Sequence, residues 1–217
     1  MGLNFGPIRS TERVMANYDY YDVAEGRGVI IYYGCKATAG NFLVGTKIPC
    51  NDIVTSSLQW SGREDYALAI DIDFDVQFNF PKVIDGTILV SVPMGTYIDN
   101  PGSINSYLIV KIRRVSSTGS EEDLASRQTD YNIAAGLIGT TDSLLQLAEI
   151  PITQAHFKKG EKLRITIELW GIAPDPASAF YGIGHDPMDR NDPNTNKRIA
   201  DTVSTILQAH VPFVIDV

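Results

Sequence analysis

The sequence is poor in cationic side chains and has no long apolar run. Its 217 residues include 18 lysines and arginines against 26 aspartates and glutamates, so the net charge is −8. Nucleic-acid binding needs clustered cations that displace counterions, and this balance therefore argues against a nucleic-acid partner. It argues equally against docking on an anionic membrane. No apolar run reaches the length of a membrane span.

Cysteine is also scarce, with Cys35 and Cys50 the only two. Two thiols in a chain without a secretion signal are typical of reduced core residues. The start, Met-Gly-Leu-Asn-Phe-Gly-Pro, has neither a basic region nor an apolar segment. Gly6 stands where a myristoylation signal has Ser or Thr. We therefore expect a protein that is made and folded in a reducing cytoplasm.

Motifs for catalysis and cofactor binding are missing as well. There is no Gly-x-Ser-x-Gly motif and no Walker loop, and the segments 26–28 and 182–184 (Gly-x-Gly) lack the third glycine of a dinucleotide loop. His156, His185 and His210 are far apart in sequence, whereas zinc needs three or four convergent ligands. The sequence thus predicts no enzyme, no catalytic, cofactor or metal site and no small-molecule substrate.

The pattern that the sequence does contain is that of β-strands. Hydrophobic residues make up 44% and charged residues 20%, which is enough to bury a core. In 66–80, apolar residues at even positions alternate with acids, amides and alanine, a period of two that turns Leu68 to Phe78 toward the core. Similar patterns predict about eight or nine strands in total: 29–33, 42–48, 53–58, 66–80, 87–92, 107–115, 144–152, 162–170 and a last run within 203–217.

Long polar connections separate these strands. Residues 121–128 are predicted to form one or two helical turns behind Ser120 as N-cap, and the proline-rich segment 173–196 a long loop. The start of the last run, 197–209, fits a helix too, but its β-branched residues favour a strand. This pattern predicts an all-β, two-sheet sandwich over residues 29–217, with a single jelly roll favoured over an immunoglobulin-like sandwich.

The segment 1–28 differs from the rest because it sustains neither a strand nor a helix period. Aperiodic backbone gains no order from a hydrogen-bond ladder of its own, so its order must come from outside contacts. Tyr18, Tyr20 and Tyr21 offer large, rigid contact area. We therefore predict an N-terminal arm with these three tyrosines as interface residues. A frayed terminus is the alternative.

Two oxygen-rich clusters could suggest a Ca²⁺ site. Asp71, Asp73 and Asp75 share one face of a strand, and we interpret them as a solvated face whose repulsion is relieved by cations on the neighbouring strand, such as Lys111 and Arg113. The loop 185–194 is rich in Asp, Asn and Pro, which Asx-turns and fixed φ angles explain without a metal. The first cluster lacks the spacing of an EF-hand loop, because Val76 stands at its sixth position and Lys82 at its twelfth. For 185–194 a calcium-stabilised loop stays open as the alternative.

The C-terminal region resembles known proteins. Residues 179–187 (Ala-Phe-Tyr-Gly-Ile-Gly-His-Asp-Pro) and 210–216 (His-Val-Pro-Phe-Val-Ile-Asp), with 74–81 ahead of a hairpin, resemble jelly-roll virion structural proteins, the capsid decoration and minor capsid subunits of double-stranded DNA viruses. The resemblance covers about residues 60–217. It implies a non-enzymatic virion subunit, assembled in the host cytoplasm, whose partners are copies of itself and other capsid proteins.

Two other functions stay open. A carbohydrate-binding sandwich module would use Trp60, Trp170 and tyrosines to stack on sugar rings, and coplanar exposed aromatic side chains would favour it. A hydrolase built on a sandwich would show a concave site with acids of perturbed pKa. Aromatic side chains buried between subunits would favour the virion subunit.

Overall fold

The computed structural model describes residues 16–17, 26–48, 54–100, 102, 104–134, 137–193 and 197–214. Within these ranges every regular element is a β-strand, which confirms the predicted all-β class. The strands are β1 Ala16–Asn17, β2 Arg27–Ala37, β3 Gly40–Val44, β4 Thr55–Gln77, β5 Lys82–Asn100, β6 Ile104–Val115, β7 Glu121–Gln128, β8 Asn132–Ala134, β9 Thr141–Phe157, β10 Lys162–Gly184 and β11 Gln208–Val214.

The strands form a sandwich of two groups. The hydrogen-bonded order is β7-β6-β10-β4-β3-β2-β11-β5-β9, with β1 on β2 and β8 on β6. We call β7, β6, β10 and β4 the β10 sheet, and β2, β11, β5 and β9 the β5 sheet. Two links join them: β3 pairs with both β2 and β4, and the second half of β10 pairs with β5. Buried side chains from both groups form one core cluster.

The long amphipathic strand lies mostly as predicted. Ile70, Ile72, Phe74 and Phe78 are buried, and Phe74 is fully enclosed. Leu68 is the exception, with 39% of its surface exposed. The reason is a β-bulge, which the even-odd pattern does not reveal: Leu169 pairs with Ile70 but Trp170 pairs with Leu68, so one extra residue turns Leu68 outward.

The prediction of helical turns at 121–128 is wrong. These residues form β7, the edge strand that pairs with β6. Its acids face the β6 cations, with the Arg113 Nε 2.7 Å from Asp123 and the Arg113 Nη1 3.2 Å from Glu121. Tertiary pairing to an open strand edge here overrides local helix propensity.

The loop predicted at 173–196 is wrong for its first half, because β10 continues to Gly184. Pro174 and Pro176 fall where the register with β4 is interrupted, between Ala173 and Ser178, and proline is tolerated at such interruptions. From Ser178 to Ile183 the strand lies between β4 and β5 and pairs with both. Ala179, Tyr181 and Ile183 are fully buried here, but they do not form a run of aliphatic residues that would mark a strand.

The last strand begins later than predicted. Only Gln208–Val214 is a strand, and 197–207 is irregular, neither helix nor strand. Backbone hydrogen bonds still hold the irregular segment: Gly34 N donates to Leu207 O at 3.0 Å, and Asp186 N donates to Thr205 O at 3.0 Å. Thr205, Ile206 and Leu207 are all buried, so the β-like composition reflects core packing rather than a ladder.

Cys35 is buried and disulfide-bonded, so the expectation of reduced thiols is wrong. Cys50 lies outside the described residues. The inference of a reducing compartment rested on reduced thiols and loses that support.

Only a small part of the predicted arm is described. Ala16 and Asn17 pair with Ile30 and Val29 of β2, and Arg27 and Gly28 already belong to β2. The predicted interface residues Tyr18, Tyr20 and Tyr21 lie outside the described residues, so their role stays a prediction.

Candidate functional site

Strand alternation builds the outer face of the β10 sheet. On β10, the fully buried Leu163, Ile165, Ile167 and Leu169 alternate with side chains on the opposite face. That face carries Arg164, Thr166, Glu168 and Trp170, together with residues of the paired strands β4 and β6. One end of the face is aromatic and the other is charged.

The aromatic end is a cluster of four rings, Tyr66, Tyr107, Tyr131 and Trp170, which we call the aromatic platform. Ring centroids lie 5.3 Å apart for Tyr66 and Tyr107 and 5.2 Å apart for Tyr107 and Tyr131. Trp170 and Tyr107 are register partners on adjacent strands, with ring planes only 2° apart and centroids separated by 6.4 Å. Tyr131 is 54% exposed. The other three rings are half-buried, and the three tyrosine rings are inclined at 53° to 71° to one another, so the rings support one another but only Tyr107 and Trp170 are parallel.

Carboxylates adjoin the platform. Glu168 Oε2 accepts a hydrogen bond from Trp170 Nε1 at 3.1 Å, and the other oxygen of Glu168 forms an ion pair with Lys111. Asp71 is the register partner of Glu168 and is exposed. Within the described residues no side chain donates a hydrogen bond to Asp71 or forms an ion pair with it. Partial burial, followed by the charges of Asp73 and Glu168, raises the pKa of Asp71. Asp71 is thus an acceptor that the chain's own donors leave available.

The charged end of the face is internally neutralised. Arg164 binds Asp75 through two nitrogens, at 2.7 and 2.9 Å, and reaches Asp73 at 2.9 Å. Thr166 Oγ1 also donates to Asp73 at 2.5 Å. Cations relieve the repulsion as predicted. The named Lys111 and Arg113 favour the charge of Asp71 without an ion pair to it, whereas Arg164 forms the direct ion pairs with Asp73 and Asp75. Arg164 lies on the adjacent strand β10, whereas Lys111 and Arg113 lie one strand further away on β6 and form their ion pairs with Glu168, Glu121 and Asp123.

A groove of about 400 Å³ lies where β3 approaches this charged end, and Asp73, Asp75 and Arg164 line it. Burial alone would raise the pKa of Asp75, but the hydrogen bonds and charge of Arg164 outweigh burial and lower it. An acid that stays ionised and paired is unsuited to proton transfer. Among the described residues, no cluster of three or more metal-ligating side chains could hold an ion.

A serine and a histidine that could act as nucleophile and base meet away from the outer face of the β10 sheet. No sequence motif predicted this contact. Ser56 Oγ lies 3.0 Å from His185 Nε2, and Lys36 Nζ donates to the same oxygen at 3.1 Å. His185 Nδ1 is buried and has no hydrogen-bond partner within the described residues. Burial, with a smaller effect of the Lys36 charge, lowers the pKa of His185 to about 4. Such a histidine is a weak base, and within the described residues no carboxylate orients it as in a catalytic triad.

The acidic loop after β10 is satisfied by donors of the chain itself. The predicted Asx-turn pattern occurs at Asp186, which accepts from Met188 N at 3.3 Å, whereas backbone donors to Asp189 and Asp192 belong to the segment 197–207. Asp186 accepts from Arg190 N at 2.7 Å and forms an ion pair with the Arg190 side chain. Asp189 accepts from Thr205 N at 2.8 Å, and Asp192 accepts from Arg198 N at 2.9 Å. These bonds attach the loop to the irregular segment 197–207.

The outer face of the β5 sheet carries several apolar side chains, and the polar Gln208 and His210 of β11 lie between those of β5 and those of β2. Leu145 and Leu147 of β9 are 53% and 51% exposed, and their register partners on β5 are Pro93 and Ser91. Half-buried apolar side chains of β5 and β2 continue this face across the sheet. We call this set the apolar outer face: Val29, Ile31, Tyr33, Leu89, Leu145 and Leu147.

Comparison with family models and with curated proteins gives no match. Solved structures with a similar fold include an α-amino acid ester hydrolase, at 10% identity and a TM-score of 0.52, over 83% of this chain and 36% of the hydrolase. An aminopeptidase from the marine sediment archaeon Thaumarchaeota archaeon matches at 9% identity and a TM-score of 0.50, over 87% of this chain and 37% of the aminopeptidase. The chain thus spans little more than a third of either protein.

The VP2 subviral particle of infectious bursal disease virus also matches, at 11% identity and a TM-score of 0.34, over 87% of this chain and 42% of VP2. The two enzyme matches support the sandwich fold and nothing about activity, because one fold serves many functions. Within the described residues, no helix is long and apolar enough to cross a membrane.

Proposed function

We propose that the protein is a structural subunit of a virus particle, a non-enzymatic and oligomeric capsid decoration or minor capsid protein. The observation that carries this function is the apolar outer face of the β5 sheet. A sheet with one face on the core and the other in water normally alternates apolar and polar side chains. Here β9 turns Leu145 and Leu147 outward as well as Ala148 and Ile150 inward.

An apolar outer face is typical of a surface that another chain covers. Permanent interfaces resemble a domain core cut in half, and contiguous apolar patches are rare on monomers. The partners are copies of this chain and other capsid proteins. The net charge of −8 supports a place away from the packaged nucleic acid, since like charges repel.

The virion assignment rests on the resemblance of residues 60–217 to jelly-roll virion proteins. A hydrolase is less well supported. Its best geometric candidate is the pair of Ser56 and His185, whose histidine has a lowered pKa and no orienting acid within the described residues. The similarity to a third of two enzymes does not supply the missing groups.

The oligomeric state tests the apolar outer face directly. Light scattering of the purified full chain should give a multiple of its 23.8 kDa mass. Leu147→Asp should dissociate the oligomer because it places a charge at the interface. Leu58→Asp is the matched control, since Leu58 lies on β4, outside that face, and is 38% exposed. A monomeric wild-type chain, or equal dissociation by both variants, would contradict an interface at this face.

The virion assignment needs its own experiment. In a virus that encodes this chain, mass spectrometry of purified particles should detect it in fixed proportion to the major capsid protein. Immunogold labelling of intact particles should place it on their surface if it is a decoration protein. Its absence from purified particles would overturn the assignment while leaving the oligomer untouched.

A further inference from the structure

We propose that the aromatic platform is a binding site for a neutral oligosaccharide. The site consists of Tyr66, Tyr107, Tyr131 and Trp170 as the stacking surface and of Asp71 as a hydrogen-bond acceptor beside it. This site is independent of the apolar outer face, because it belongs to the other sheet of the sandwich. A subunit could therefore bind a glycan while its β5 sheet is covered by a neighbour.

The platform is rigid before a ligand arrives. Tyr107 and Trp170 stand on adjacent hydrogen-bonded strands with their rings parallel. Glu168 fixes the indole by accepting from Trp170 Nε1 at 3.1 Å. The β-bulge between Ile70 and Leu68 changes the register of β4, and Tyr66 lies 5.3 Å from Tyr107. Rings held in this way lose little conformational entropy on binding.

The chemistry of the site matches that of a sugar. A pyranose has an apolar face of C–H groups, which the negative face of an aromatic ring attracts, and a rim of hydroxyl groups. A hydroxyl donor gains a charge-assisted hydrogen bond from an ionised carboxylate. Asp71 offers such a carboxylate, since no side chain within the described residues forms a hydrogen bond or ion pair with it. Glu168, its register partner, lies two residues from Trp170, about 7 Å along the strand, so the acceptor stands beside the rings.

Electrostatics select a neutral ligand. Asp71 lies beside the platform without an ion pair to any described side chain, and the charges of Asp73 and Glu168, which pair with Arg164 and Lys111, still oppose its ionisation. A uronic acid or a sulfated sugar would add a further negative charge, in a chain whose net charge is −8. We therefore expect selectivity for uncharged over anionic oligosaccharides.

The purified full chain is titrated with maltohexaose, cellohexaose and chitohexaose. Binding is measured by calorimetry and by tryptophan fluorescence. Trp60→Phe serves as background for the fluorescence, so that Trp170 alone reports. At least one of the three sugars should bind saturably, and a hexamer of galacturonic acid should not. Saturable binding of the galacturonate alone would overturn the proposed selectivity and with it the site.

Variants locate the binding. Tyr131→Ala removes an exposed ring and leaves the core intact, and it should weaken binding about tenfold. Asp71→Ala should weaken it by a similar factor. Phe80→Ala is the matched control, because Phe80 is 74% exposed in the turn after β4, and it should leave the affinity unchanged.

No response to any of the three sugars overturns the site, as does binding that neither Tyr131→Ala nor Asp71→Ala weakens. Platform variants that dissociate the oligomer without any sugar binding would instead assign the rings to a protein contact.

Discussion

Ser56 Oγ and His185 Nε2 lie 3.0 Å apart although 129 residues separate them in the chain. The contact arises because the end of β10 pairs with the start of β4, where Gly184 is the register partner of Thr55. His185 follows directly and is fully buried, with its Nδ1 unpaired within the described residues. The imidazole is therefore held neutral inside the sandwich.

Acid should destabilise the protein through His185. Its pKa is lowered from an ordinary value near 6.5 to about 4 in the folded state, so between these values the unfolded chain binds a proton that the folded chain does not. Stability is then fully present above pH 6.5 and falls as the pH drops to 4, by about 3 kcal/mol. Urea unfolding at a series of pH values measures this loss.

Two variants test whether His185 causes this pH dependence: His185→Gln, and His156→Gln as its control. His185→Gln should flatten the dependence between pH 6.5 and 4, whatever it does to stability at pH 7. His156 is exposed, and His156→Gln should keep the wild-type slope. The lowered pKa of Asp75 acts only below its ordinary value of 3.8, outside this window. Equal slopes in all three proteins would show that His185 is not the group responsible.

Phe74→Ala should lower the free energy of unfolding by about 3–5 kcal/mol, because Phe74 is fully enclosed between the sheets and its loss leaves a cavity. Phe80→Ala removes the same ring from an exposed position and should change stability by less than about 0.5 kcal/mol. Denaturant unfolding of both variants measures the difference. Similar values for the two would mean that the register of β4 is wrong.

Asp75 and Asp71 of β4 should respond differently to neutralisation. Asp75→Asn should cost about 1–2 kcal/mol, because it weakens a two-nitrogen contact with Arg164 in a half-buried site. Asp71→Asn should raise the melting temperature slightly, because the raised pKa of Asp71 marks an unfavourable charge. Thermal unfolding at pH 7 ranks the variants.

The effect of Ca²⁺ on the melting temperature tests whether Asp71, Asp73 and Asp75 form a metal site. Asp73 and Asp75 are occupied by Arg164, so adding Ca²⁺ or a chelator should not shift the melting temperature of the wild type. A Ca²⁺-dependent shift that Asp73→Asn abolishes would instead establish a metal site on this strand.

Removing residues 1–25 should leave a folded β domain and weaken assembly. The cut retains all of β2 and removes, of the described residues, only Ala16 and Asn17. Circular dichroism should keep its β spectrum, and light scattering should give a lower mass than for the full chain. Loss of the β spectrum would make the segment part of the sandwich, and an unchanged mass would remove its assembly role.

Local alternation in the sequence was enough to predict the all-β class and the inward face of the long strand. A period of two places Ile70, Ile72 and Phe74 on one side whatever the strand pairs with, because side chains of a strand alternate between its faces. The same reasoning accounts for Arg164 and Glu168 on the outer face. It also indicated that cations of neighbouring strands face the acids of β4.

The tertiary structure alone decided which strands became neighbours. Pairing placed Arg164 rather than Lys111 against Asp73 and Asp75, made 121–128 an edge strand and extended β10 through a proline-rich stretch. A single-residue bulge turned Leu68 outward, and pairing of β10 with β6 set Trp170 beside Tyr107. The sequence determined the face of each side chain because alternation is local. It could not determine register or strand order, because these depend on contacts between residues far apart in the chain.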